Sequence, residues 1–234
     1  MSVKGIRMEN SKTIVITTLS NKEGKFCVAG LDLESYKWCR IISDDVNSHG
    51  AIDWNKDLID VYNRIPQVGD CIKFWFDPNN KKNNVQSENY LLDRSKSIEI
   101  TDELGLNYIL NHCPVISENE SIYVDSLPYI TEAHINEVNC SLLAAKVTSF
   151  VLYMNAYNKL KCSFIHNNHH YKEMSFTMSQ SQNPDTGNAY LEVNKKYDNA
   201  LVIVSIGEPI LYQGRENRYY KFVSTVIPFV ENAD

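Results

Sequence analysis

From Ser141 onward the sequence is a succession of apolar, β-branched runs cut by short polar turns. The runs are Ser141–Tyr153, Lys159–His166, His170–Met178, Ala189–Leu191, Ala200–Ile206 and Tyr219–Pro228. The turns between them are Asn155–Asn158, Asn167–His169, Gln182–Asn188 and Tyr212–Asn217. Five or six strands in about 90 residues is the spacing of a small all-β barrel.

The first third has the same texture. Lys12–Ser20 (KTIVITTLS), Lys25–Ala29 and Tyr36–Ser43 are expected strands, separated by Asn21-Lys22-Glu23-Gly24 and the Gly30–Ser35 segment. Residues 44–68 are irregular, with one helical turn expected at Asp57–Tyr62. Cys71–Phe76, Gln86–Asp93 and Ser97–Ile100 follow as extended segments, the first two flanking a long polar loop. A helix is expected over Asp102–Asn111, with Thr101 as N-cap, Asp102 and Glu103 at the positive end of the dipole, and Pro114 as a stop. Ser126–His134 carries no clear period. The chain therefore divides into a β-rich unit over 11–95, a helical or irregular connector over 96–138, and a second β-rich unit over 139–231. No internal repeat is visible between the two units, which leaves open that they share one fold.

Composition narrows the class. The 234 residues are 43% hydrophobic and 22% charged, which excludes extensive disorder. Tyr contributes 14 residues, an excess that favours sheet. The net charge of −6 argues against tight nonspecific binding of duplex DNA, which needs many cations at phosphates. Charge is uneven: residues 140–234 balance at +1 and residues 1–139 at −7. An anionic partner is therefore expected to prefer the C-terminal unit. No apolar leader follows Met1, and the longest strongly apolar run, Ala200–Val204, is far below the roughly 20 residues of a spanning helix. The six cysteines have no CxxC spacing, and free thiols in a cytoplasmic protein are expected.

Phosphate-loop, dinucleotide, zincin, hydrolase-elbow and EF-hand signatures are absent. His166-x-x-His169-His170 is the one histidine cluster. It falls on an expected hairpin turn, and its spacing matches no standard zinc module. No metal, cofactor or catalytic residue is assigned. Gly30-x-Asp32 followed by Trp38-x-Arg40 is more distinctive. The period of two puts Trp38 and Arg40 on one strand face, able to stack a base and meet a phosphate, or else to serve a core and a salt bridge with Asp32. Gln86-Ser87-Glu88-Asn89-Tyr90 gathers amide and carboxylate groups of the kind that read base edges, or that satisfy a loop's own backbone. Ser205-Ile206-Gly207-Glu208-Pro209 closes one buried strand and Tyr219-Tyr220-Lys221-Phe222 opens the last.

In chain order these segments resemble the dual OB-containing domain family. The resemblance is carried by CVAGLDLESYKWCRIIS (27–43), Gly69-Asp70, QSENYLLD (86–93), SLLAAKVTSFVLY (141–153) and LVIVSIGEPI…YYKFVSTVIP (201–228). Two positions depart from the family pattern: Ile41 stands after Arg40 where proline is usual, and Ile206 stands in the Ser-Leu-Gly turn. The resemblance implies a mainly β protein of two small OB-like barrels with a short helical connector. It also implies a bacterial cytoplasmic protein that binds nucleic acid, met around defence or conflict systems. OB folds host many ligands, so fold alone does not settle function.

The expected function is thus a non-catalytic module for single-stranded RNA or DNA. Tyr36 and Trp38 would stack bases, Arg40 and Lys221 would meet phosphates, and Gln86 and Asn89 would read edges. Glu88 would orient Arg40 or accept from a base, and Tyr219 would share a face with Lys221. Three other readings remain. One is a sensor of a nucleotide-like ligand between the barrels. The second is a metal-dependent enzyme using Asp32 or Glu88. The third is an adaptor for protein partners.

Overall fold

A computed structural model describes residues 10–22, 24–45, 50–57, 64–79, 85–178 and 191–230. The expected turn residue Glu23, most of Asp57–Tyr62, the 182–188 turn and the start of Ala189–Leu191 lie outside these described residues. The first sheet contains β1 (Ser11–Lys22), β2 (Lys25–Asp32), β3 (Trp38–Ile42), β4 (Asp70–Trp75), β5 (Asn89–Leu91) and β6 (Glu99–Glu103). One helical turn, α1 (Trp54–Asp57), precedes β4. A second helix, α2 (Gly105–His112), leads to β7 (Tyr129–Thr131) and a 3-10 turn at Ile135–Glu137. The second sheet is β8 (Leu142–Met154), β9 (Leu160–His166), β10 (His169–Phe176), β11 (Lys196–Tyr212) and β12 (Glu216–Pro228), with β7 added on the edge of β12.

The two sheets follow one plan. In the second, the order β10-β9-β8-β11-β12 is closed by parallel pairing of β10 with β12. In the first, the order is β3-β2-β1-β4, β5 lies parallel to β3, and a bridge between Phe76 and Leu92 joins the ends of β4 and β5. Each barrel thus runs first, second, third, fifth, fourth strand. The protein is mainly β, two OB-like barrels in one chain.

Each barrel is coiled by a long, bent first strand. The register of β1 against β2 slips between Ile16 and Thr18, and that of β8 against β9 between Thr148 and Val151, where Ser149 takes a positive φ. Such bulges raise the local twist, so one strand can serve both sides of a barrel. Gly30 is required where β2 crosses β1, because a Cβ there would lie 2.1 Å from the Val15 carbonyl oxygen. The β9–β10 turn is Asn167-Asn168, both at positive φ, as a tight hairpin demands.

The helix starts later than the sequence suggests. Thr101, Asp102 and Glu103 belong to β6, paired with Cys71 and Asp70 of β4, and the Thr101 hydroxyl donates to the Cys71 carbonyl. The chain turns only at Gly105 (φ +71), where Leu104 and Gly105 both donate to the Gly69 carbonyl. Sheet pairing has overridden a good N-cap sequence. Strand β11 also outruns its expected span: it continues past Ile206 through a bulge to Tyr212, so Gly207-Glu208-Pro209 lies within a hairpin arm.

Barrel interiors account for two cores. Ile14, Ile16, Val28, Cys39, Ile41, Ile72 and Phe74 fill the first. Val147, Phe150, Phe164, Tyr171, Met174, Val202 and Val223 fill the second. A third core lies between the barrels. Val15, Ala29, Leu31 and Cys71, pointing out of the first barrel, meet Leu142, Ala144, Leu201, Ile203 and Ile227, pointing out of the second. Ile109 of α2 and Cys113 close the seam, with Trp38 packed at its margin. The bulge in β1 leaves the Thr17 carbonyl free to accept from the Thr225 hydroxyl of β12 at 2.6 Å. All six cysteines are free. Among the described residues no helix is long and apolar enough to cross a membrane.

Candidate functional site

Five of the eight expected site residues converge where β3 and β5 meet the second barrel. Trp38 and Arg40 share the outward face of β3, since Cys39 and Ile41 point into the first core. Arg40 is in register with Asn89 on β5. Glu88 reaches across the seam. Its carboxylate accepts from the Ser141 amide and hydroxyl and from the Cys140 thiol, and lies 3.7 Å from the Arg40 guanidinium. The preceding loop is fixed in the same way, with the Ser87 hydroxyl donating to the Asn139 carbonyl at 2.9 Å.

This geometry changes several expected roles. Glu88 is buried and committed to the junction, so it is not placed to accept from a base. Gln86 holds its neighbour: its Oε1 accepts from Asn89 Nδ2 at 2.9 Å. Lys221 is 0% exposed, and its ammonium donates to the Ile122 and Asp125 carbonyls and the Asp125 carboxylate. Burial lowers its pKa, with Asp125 opposing the shift. It anchors the connector over the barrel end and is not placed to meet a phosphate. Tyr219 packs with Ile130, Ile135 and Val138 and is in register with Ile130 of β7.

Tyr36 lies outside the cluster. Asp32 caps the β2–β3 turn by accepting from the Glu34 and Ser35 amides, and it pairs with Lys12. That turn sets Tyr36 at φ +55, with its ring stacked on His112 of α2, which stacks in turn on Tyr108. Asp32, like Glu88, is buried and committed.

Burial raises acids across the junction. The Cys140 thiol is pushed up to about 12 by burial and the Glu88 charge. Burial likewise lifts the Tyr123 phenol well above its usual range, and that hydroxyl donates to the Val204 carbonyl. The histidine cluster is split: His166 is buried between the Lys146 and Glu120 carbonyls, whereas His169 and His170 are exposed. Among the described residues no three His, Cys, Asp or Glu side chains are grouped to hold a metal ion.

The sequence motifs do not mark the outer face of β8, β9 and β10. Outside β8, β9 and β10, Thr148, Ile165 and His170 form one row across the strands, and Tyr153, Lys161 and Ser175 another. Lys146 and Lys172 are exposed on the same strands, and Tyr157 (83% exposed) and Lys159 stand on the β8–β9 turn. The carboxylate on these strands, Glu173, accepts from the Tyr153 hydroxyl at 2.8 Å. The signal available in sequence was Lys159 and Lys161 at strand alternation beside Tyr153 and Tyr157.

The model of the dual OB-containing domain matches residues 12–226. The chain belongs to that family. Two solved structures resemble this dual OB-containing domain at low similarity. The Ifi202 HINa domain in complex with 20 bp dsDNA is 12% identical, covering 92% of this chain and 91% of that one, with a TM-score of 0.34. The tetrameric p202 HIN2 is 7% identical, covering 96% of both chains, with a TM-score of 0.28. No curated protein matches the chain. The two barrels of the dual OB-containing domain are not equivalent surfaces. An OB barrel commonly binds its ligand across its second and third strands. In the first barrel the outward side chains Ala29 and Leu31 of β2 are sealed in the seam; in the second, the outward face of β9 and β10 is open.

Proposed function

We propose that this dual OB-containing domain is a non-catalytic nucleic-acid-binding module that holds single-stranded RNA or DNA on the outer face of β8, β9 and β10. One observation carries the reading. The open outer face of β9 and β10 presents Lys161 and Lys172, with Tyr157 and Lys159 on the adjoining β8–β9 turn and Tyr153 beside Lys161, in a chain of net charge −6. Lysines spaced along a sheet face track a backbone, and the exposed Tyr157 supplies a stacking surface that a single strand can use and a duplex cannot. The exposed edge of β6, with Glu99, Asp102 and Glu103, would repel the same strand. The overall negative charge implies modest, salt-sensitive affinity.

The test is fluorescence anisotropy with labelled single-stranded RNA and DNA across a salt series. Lys159→Gln, Lys161→Gln and Lys172→Gln combined should weaken binding and lower the log–log salt slope by about 2, at about 0.7 per phosphate contact on a single strand. An unchanged slope would remove the proposal.

A further inference from the structure

We propose that Arg40 and Asn89 form a second ligand site, in the seam between the barrels, that takes the hydrogen-bonding edge of a nucleobase. The two are register partners on parallel strands and share the outward face. The Arg40 side chain is only 15% exposed, yet its one ionic contact, with Glu88, is 3.7 Å long. Among the described residues its guanidinium makes no hydrogen bond, and its nitrogens, unlike Asn89 Oδ1, reach solvent, so its donors are open to a ligand. Asn89 is 8% exposed; its Nδ2 is bound to Gln86, and its Oδ1 has no partner. Buried polar groups are almost always hydrogen-bonded, and exceptions mark a ligand or water position.

The chemistry of the pair points to a base. Glu88 already offsets the charge of Arg40, so a phosphate gains little there. A neutral planar group carrying an acceptor beside a donor satisfies both residues at once, the acceptor facing Arg40 and the donor facing Asn89 Oδ1. Every nucleobase offers such an edge. Trp38, two residues from Arg40 on the same face, packs at the margin of the seam core, so its fluorescence reports on the site. This site is separate from the lysine face and stands or falls independently of it.

The experiment is titration of the full chain with uridine, adenosine and inorganic phosphate, followed by tryptophan fluorescence and by side-chain NMR of Asn89. A nucleoside should bind and shift the Asn89 signals, and phosphate should not compete. Asn89→Leu, which removes the unpaired oxygen, and Arg40→Lys, which keeps the charge but loses the fork, should each weaken nucleoside binding about tenfold or more. The lysine-face triple variant should bind nucleoside as the wild type does. If Asn89→Leu also weakens strand binding, the base comes from the strand; if only nucleoside binding falls, the ligand is free. No nucleoside binding at millimolar concentration, competition by phosphate, or wild-type affinity in both variants would overturn the proposal.

Discussion

Leu201→Ala tests whether the two barrels are one folded body. Leu201 sits on β11 with 1% exposure, but it points away from the interior of its own barrel and into the seam, beside Ala144, Ile203 and Ile227. If the barrels were beads on a linker, Leu201 would be a surface residue and its truncation would cost under about 0.5 kcal/mol. In the seam it should behave as a core leucine. Removing three buried carbons then costs about 3 kcal/mol, from lost transfer energy plus the cavity left between two rigid sheets. For a chain of this length 1 kcal/mol lowers Tm by about 2–4 °C, so the expected fall is about 6–12 °C. Urea melts followed by circular dichroism and tryptophan fluorescence should coincide, because the tryptophans lie in the first barrel and the mutation in the second. A loss below about 1 kcal/mol, or a fluorescence transition that does not move, would mean that the barrels fold separately.

Further expectations concern the buried polar groups. Lys221→Met should cost about 1–3 kcal/mol by leaving the Ile122 and Asp125 carbonyls unsatisfied. Its strand affinity by anisotropy should be unchanged, since the ammonium never reaches the surface. Burial holds the thiol of Cys71 protonated in the fold to about 11 and those of Cys113 and Cys140 to about 12, whereas unfolded thiols ionise near 9. The fold therefore binds more protons than the unfolded chain above pH 9, and stability present below that pH should be lost as pH rises through 11. Thermal melts at pH 8, 9.5 and 10.5 under reducing conditions should fall by several degrees in that order. A thiol reagent added to native protein should label the half-exposed Cys27 ahead of buried Cys39, Cys113 and Cys162, as mass spectrometry of the peptides would read.

The strands were legible because alternation and polar turns are local signals. Lys12–Ser20, Cys71–Phe76 and Lys159–His166 fall on β1, β4 and β9 within a residue or two. The helix start was not, because the Gly69–Gly105 approach that fixes it depends on sheet pairing. The seam had a sequence trace. Ile14-Val15-Ile16 and Ala200–Val204 are unbroken apolar runs, and a strand buried on both faces reads that way. The Gln86–Asn89 motif is visible in the sequence but its chemistry is not, since the same Glu88 carboxylate suits a ligand or the amide of Ser141, 53 residues away. Tyr219 and Lys221 do alternate on one side of β12, but the connector covers that side, which periodicity cannot foresee.

The open face of the second barrel, and not the covered face of the first, is proposed to receive the strand. Hydrogen–deuterium exchange of the full chain with and without a saturating single-stranded oligonucleotide distinguishes the two faces. New protection is expected in peptides spanning Tyr153–Lys161 and His169–Ser175, with β2 unchanged because the seam already protects it. Protection confined to Lys25–Ile42, with the β9–β10 peptides unaffected, would contradict it.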